Sequence, residues 1–239
     1  MNRQIPVLFL LLGLGMIDSP AADFWHAKKF SKWSDKEVSK LLRDSPWARS
    51  IGMRVEQQRR GSSPGSGGSS GGGSSRRGGR GGSGSSTLAN DSNAFVPASD
   101  VLVRWHTALP IKQAVARARY GNEVASSPDA AKTLNRHETQ YIVGVIGVPA
   151  PAVQTEDEQL RAGAHLEVKD HPPLQAAKVI VDRQPGAADL YLFFPKEQAG
   201  GHVITPEDDE VEVVVKLESQ TIKRKFKLAE MMYDGKLEM

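Results

Sequence analysis

Few residue types in this 239-residue chain are placed to do chemistry. It has six histidines: His26, His106, His137, His165, His171 and His202. The densest polar set is His165, Glu167, Asp170 and His171. Strand alternation puts His165 and Glu167 on one face, and a loop after them can bring His171 round. Imidazole and carboxylate together are the donor set of a zinc-type site, which needs at least three ligands and an ordered outer shell of hydrogen bonds. His165 and His171 are therefore the candidate metal ligands, set against the plainer reading of a solvated strand edge. Paired carboxylates occur at Glu156-Asp157-Glu158 and Glu207-Asp208-Asp209-Glu210. Runs of this kind read as solvated turns rather than as a glycosidase pair.

Two literal motif matches fall in Gly61–Ser86, where 12 of 26 residues are Gly and 10 are Ser. Gly67 to Gly71 spells G-x-S-x-G and Gly79 to Gly84 spells G-x-G-x-x-G. Each motif needs a strand before it and a helix after it, and this composition supplies neither. The same stretch carries Arg76, Arg77 and Arg80, spaced as in the RGG segments of RNA-binding proteins. Behind an export signal they suit adventitious polyanion binding, and no specific nucleic acid is implied. Lys223, Lys225 and Lys227 alternate and read as the wet face of a hairpin, partly matched by Glu212. No cofactor is implied.

The most ordered local signals lie between Trp33 and Trp47. Ser34 is placed to cap a helix, with Glu37 at capping-box spacing, and Trp33 with Val38 forms a hydrophobic staple. Val38, Leu41 and Leu42 share one face. Pro46 stops the helix by about Asp44, and Ser45-Pro46 reads as the start of a further short turn of helix. The two indoles either staple this helix to a core or line a surface groove. In the second case Trp33 and Trp47 are ligand contacts. W-S-x-K-E-V followed by L-L-x-D-S-P-W-A resembles an uncharacterised family of exported bacterial proteins, chiefly acidobacterial, sometimes labelled GWxTD domain-containing. Val103–Pro110 and Phe226–Leu237 carry similar segments, so the resemblance spans most of the mature chain. No Gly precedes Trp33, and Ser-Asp-Lys follows it. The resemblance implies export and kinship but no activity.

The elements that would position these residues follow from the rest of the chain. Arg3, an apolar run from Val7 to Met16 and Ser19-Pro20-Ala21 form a secretory signal peptide over 1–21. The run is too short for a stable bilayer span, so no transmembrane segment is expected after cleavage. With no Cys there is neither a lipobox attachment nor a disulfide. The remainder reads as one α+β domain made of 22–58 and 98–239, interrupted by a disordered low-complexity linker over 59–97. Strands are expected over Ser50–Gln57, Val101–Thr107, Tyr141–Val148, Ala164–Lys169, Ala177–Asp182, Leu190–Phe194, Glu210–Leu217 and Thr221–Leu228. The first two should pair across the linker, since closing a long loop costs little. A turn at Ser219-Gln220 would set Leu217 against Ile222, Val213 against Phe226, Val211 against Leu228 and Glu212 against Lys227. Helices are expected from Pro110 to Tyr120, with Ile111, Ala114, Val115 and Ala118 as the stripe, and from Pro128 to about His137. The expected architecture is one mostly antiparallel sheet with two or three helices. The net charge of +3 is mild. Function is expected to be that of an exported, non-catalytic binding or envelope-associated module whose partner is an unknown protein or envelope component. The competing reading is a secreted metal-dependent hydrolase centred on His165 and His171.

Overall fold

The computed structural model describes residues 24–53, 99–198 and 201–239. The signal peptide expected over 1–21 and the linker expected over 59–97, with Arg76, Arg77 and Arg80, lie outside the described residues. In chain order the helices are α1 (Phe24–Ala27), α2 (Asp35–Arg43), α3 (Leu109–Tyr120), α4 (Pro128–Leu134) and α5 (Asp157–Gly163). The strands are β1 (Ala48–Met53), β2 (Ser99–Trp105), β3 (Gln140–Pro149), β4 (Ala164–Val168), β5 (Leu174–Gln175), β6 (Lys178–Gln184) and β7 (Ala187–Pro195). They continue with β8 (Glu197–Gln198), β9 (Gly201–His202), β10 (Glu210–Lys216), β11 (Thr221–Lys227), β12 (Met232–Tyr233) and β13 (Lys236–Leu237).

The class is α+β with antiparallel pairing, but in place of the single sheet expected from the sequence there are two larger sheets and the two-stranded ribbons β8–β9 and β12–β13. A five-stranded sheet runs β1-β2-β3-β7-β6 and a four-stranded sheet runs β11-β10-β4-β5. The chain changes sheet between two adjacent residues. The Ala176 amide bonds to Ala164 in β4, and the Ala177 amide bonds to Phe193 in β7. The inner faces meet in one core, in which Trp105 of the first sheet lies edge-on to Phe226 of the second at 5.8 Å. Val103, Val143, Leu190 and Leu192 face Leu166, Val211, Val213 and Val215 within it. The small residues and β-branched side chains of β3 make it a central strand, as its composition requires, between β2 and β7. β1 and β2 pair from Ala48–Arg104 to Met53–Ser99, so the two sides of the linker do meet in one sheet.

α2 forms as its signals require. The Ser34 hydroxyl accepts the Glu37 amide, and the Glu37 carboxylate accepts the Ser34 amide at 2.8 Å, which completes the capping box. Lys28 pairs with the same carboxylate. Val38 and Leu41 are buried, and Leu42 is half-buried. Ser45 does not start a second helix. It exchanges backbone bonds with Ala48 at 2.9 and 3.1 Å around Pro46-Trp47, and its hydroxyl donates to Leu41 and accepts the Trp47 amide. A hydroxyl that satisfies the amide two residues on makes a tight turn, which feeds β1 directly.

Two further expectations are corrected. The β10–β11 hairpin pairs Val215 with Ile222, Val213 with Arg224, Val211 with Phe226 and Glu212 with Lys225. Its turn centres on Glu218-Ser219, where the Leu217 amide reaches the Gln220 carbonyl at 2.8 Å. The slip is two residues, so the faces survive and the partners change. In α3 the buried stripe is Pro110, Ile111, Gln113, Ala114 and Ala116, while Val115 is 42% exposed. The buried Gln113 accepts a hydrogen bond from the Tyr233 hydroxyl at 2.9 Å, which fixes the helix's rotation. Asp234-Gly235 closes β12–β13 with positive φ at both residues (48° and 76°), the requirement of a type I′ turn.

Candidate functional site

Trp33 and Trp47 are both 0% exposed, so a surface groove that uses them as contacts is not open in this structure. The Trp47 indole donates to the Glu238 carbonyl at 2.8 Å, and the Trp33 indole donates to the Lys28 carbonyl at 3.3 Å. Phe24, Trp25, Phe30 and Tyr233 pack edge-on around them. Both side chains are anchors of the core, each with its polar edge satisfied.

His165 and His171 do not converge on one carboxylate. His165 is buried in β4 and donates to Glu167 at 3.0 Å, a bond that holds the Glu167 carboxyl below its ordinary range. His171 lies beyond the turn at Asp170, which has a φ of 63°. It meets Asp208 at 3.1 Å, and Asp208 already accepts the Thr205 amide at 2.8 Å. Among the described residues no three His, Cys, Asp or Glu side chains converge as metal ligands. The zinc-type set expected from the sequence is not assembled there.

The structure instead assembles two constellations that periodicity did not single out. One is a polar trench between α3, the approach to β3, and β8–β9. Lys112 reaches Glu138 at 3.5 Å and the Arg136 carbonyl at 3.1 Å, and Arg136 reaches Glu138 at 3.4 Å. Glu238 accepts the Leu109 amide at 3.1 Å. Lys196 lies 5.1 Å from the Tyr141 ring centroid and donates to the Met239 carbonyl at 3.3 Å. Burial pushes the Lys196 ammonium below its ordinary pKa and the Tyr141 phenol up to about 12. His137 and His202 stand on the rim. The charges pair with one another or with backbone, which holds the ends of three elements together.

The other constellation lies on the outer face of the five-stranded sheet. Arg104, Gly144, Tyr191 and Ile180 form one cross-strand row over β2, β3, β7 and β6. Gly144 has a positional reason: a Cβ there would stand 2.4 Å from His106 Nε2, so the imidazole folds back into the space left by the missing side chain. His106 lies 5.4 Å from the Tyr191 ring, edge to face. Its Nε2 accepts from Arg104 Nε and Nη2, both at 3.4 Å, which places the imidazole proton on Nδ1. Desolvation, reinforced by Arg104, pushes the His106 pKa down to about 3, so the ring is neutral at pH 7. Burial likewise draws the Arg104 guanidinium below its usual value. Arg104 Nη1 donates to the Leu42 carbonyl at 3.4 Å. Around this row Ile142, Ile146 and Phe193 are half-buried, and Ile180 is 41% exposed. The one sequence signal for the site was Gly144 itself, a glycine between Val143 and Val145 in the middle of a strand. Comparisons with protein-family models, with curated proteins and with solved structures found no match.

Proposed function

We propose that this protein is an exported, non-catalytic binding or envelope-associated module whose contact surface is the outer face of the five-stranded sheet. The observation that carries the reading is the Arg104–Gly144–Tyr191–Ile180 row with its apolar flank of Ile142, Ile146 and Phe193. An apolar patch with Arg104 inside it, and with Lys178, Asp182 and Asp189 towards the β6–β7 edge, has the apolar centre and polar rim of a recognition surface. Export rests on the signal-type N-terminus and on the resemblance to exported bacterial proteins. No helix among the described residues is long and apolar enough to cross a membrane.

Two experiments test the reading. A photo-crosslinking residue at Ile180 should trap a partner in the native envelope fraction. Tyr191→Asp should abolish that adduct without changing the melting temperature by more than a few degrees. Adducts that persist in the Tyr191→Asp variant would remove the sheet face from consideration. Mass spectrometry of the exported protein should find Ala22 as the first residue. An intact Met1 in the cytosolic fraction would end the export reading.

A further inference from the structure

Within the outer sheet face, Arg104 stands at the floor of a cleft between α2 and the β2–β3 end of the sheet, with Leu42, Leu102 and Ile146 as its apolar walls. A guanidinium carries five N–H donors. Those of Arg104 make three contacts, all at 3.4 Å, to one backbone carbonyl and one imidazole nitrogen. That is the outer limit of a hydrogen bond. Among the described residues no carboxylate lies within 4.0 Å of it. The Asp189 carboxylate, on β7 beyond the intervening β3, favours the charge from a distance but is itself committed to the Gly147 amide at 2.8 Å. The His106 imidazole accepts from Arg104 but, neutral or protonated, supplies no negative charge. A largely buried cation with slack hydrogen bonds and no carboxylate in contact is costly unless something completes it.

Charge at the rim narrows the class of ligand. Arg43 faces the cleft, but so do Asp35 and Asp100, so a dianionic phosphate would meet two carboxylates. A single carboxylate matches the planar fork of one guanidinium, and an apolar body matches the walls. We infer that the Arg104 cleft binds the carboxylate of an apolar monocarboxylate, either a free aliphatic acid or the C-terminus of an apolar peptide. The inference rests on reading this face as the contact surface.

The test uses the full-length exported chain, titrated with octanoate and with octanamide and followed at the side-chain Nε–H resonance of Arg104 and the backbone amides of Leu102 and Ile146. Octanoate should bind saturably and move all three signals. Octanamide should bind roughly ten-fold or more weakly, because the charge-assisted bonds are lost. Arg104→Lys should weaken octanoate but retain some binding, while Arg104→Gln should abolish it. The unaltered protein compared between the two ligands gives an answer even where a variant fails to fold. An apolar tripeptide with a free terminus, set beside its amidated form, separates the two sources: a ten-fold preference confined to the peptide pair selects a protein terminus. Equal binding within both pairs, octanoate with octanamide and the free with the amidated peptide, or shifts at Lys112 and Lys196 instead, would overturn the inference. Failure of both octanoate and the free-terminus peptide to bind, with Tyr191→Asp still abolishing the Ile180 adduct, removes only the carboxylate. Persistence of the adduct in Tyr191→Asp beside intact octanoate binding removes only the docking surface.

Discussion

His106 gives the sharpest prediction at the scale of single residues. Its folded pKa of about 3 lies far below the ordinary imidazole value of 6.5. Below pH 6.5 the unfolded chain takes up a proton that the folded one refuses, so stability is complete above that pH and is lost as pH falls towards 3. The slope contributed by this one group approaches about 1.4 kcal/mol per pH unit. His106→Gln preserves an acceptor for Arg104 and removes the titration. The variant should lose less stability than the native protein between pH 6.5 and 4, read as urea midpoints at each pH. Parallel curves would show that the imidazole is hydrated and not held neutral by burial. The indoles supply a second test. All four tryptophans (Trp25, Trp33, Trp47 and Trp105) are at most 4% exposed, so their fluorescence should resist quenching by iodide. Trp47→Phe should cost about 1–3 kcal/mol, because the Glu238 carbonyl loses its donor. Efficient quenching of the native protein would restore the groove reading.

For whole elements, the parts legible in the sequence were those whose signals are local. The α2 capping box and the Asp234-Gly235 turn each rest on a few side chains meeting the backbone beside them. Ser34→Ala should therefore cost about 1 kcal/mol, visible in a thermal melt. Glu37→Gln should flatten the acid limb of stability, since the Glu37 carboxyl is pulled down to about 2, chiefly by its bond from Lys28. Stability from that carboxylate is present above pH 4.5 and is lost as pH falls through 2. The parts that were not legible depend on distant partners. Glu218-Ser219 and Ser219-Gln220 are equally plain turn centres, with neither Gly nor Asn to choose between them. The register of β10–β11 is instead tied to the core, where Phe226, opposite Val211, lies edge-on to Trp105 of the first sheet at 5.8 Å. The rotation of α3 follows from the Gln113–Tyr233 bond across 120 positions of chain. Arg104 and His106 alternate as a wet face should. Only the fold shows that α2 partly covers that face and that Gly144 leaves room for the imidazole.

Taken as a whole, the molecule is two sheets sealed along one core, and its longest interruption falls inside the first hairpin. The 45 residues 54–98 separate Met53 from Ser99, which are paired across β1 and β2. The chain that joins a strand pair is a loop whose closure the pairing must overcome, and for a Gly/Ser-rich sequence that entropy scales with the logarithm of length. Deleting Gly61–Ser86 shortens the connection to 19 residues and should raise stability by about 0.5–1 kcal/mol. For a chain of this size that is a melting point higher by about 1–4 °C. The β1–β2 register should be unchanged, and hydrogen exchange at Val101 and Val103 should be as slow as before. The same deletion removes Arg76, Arg77 and Arg80, so any heparin binding should fall and lose its steep salt dependence. A deletion that instead lowers the melting point would mean that these residues contribute contacts to the folded body. The hairpin would then not be self-sufficient, and the two flanks of the segment would need it in order to meet.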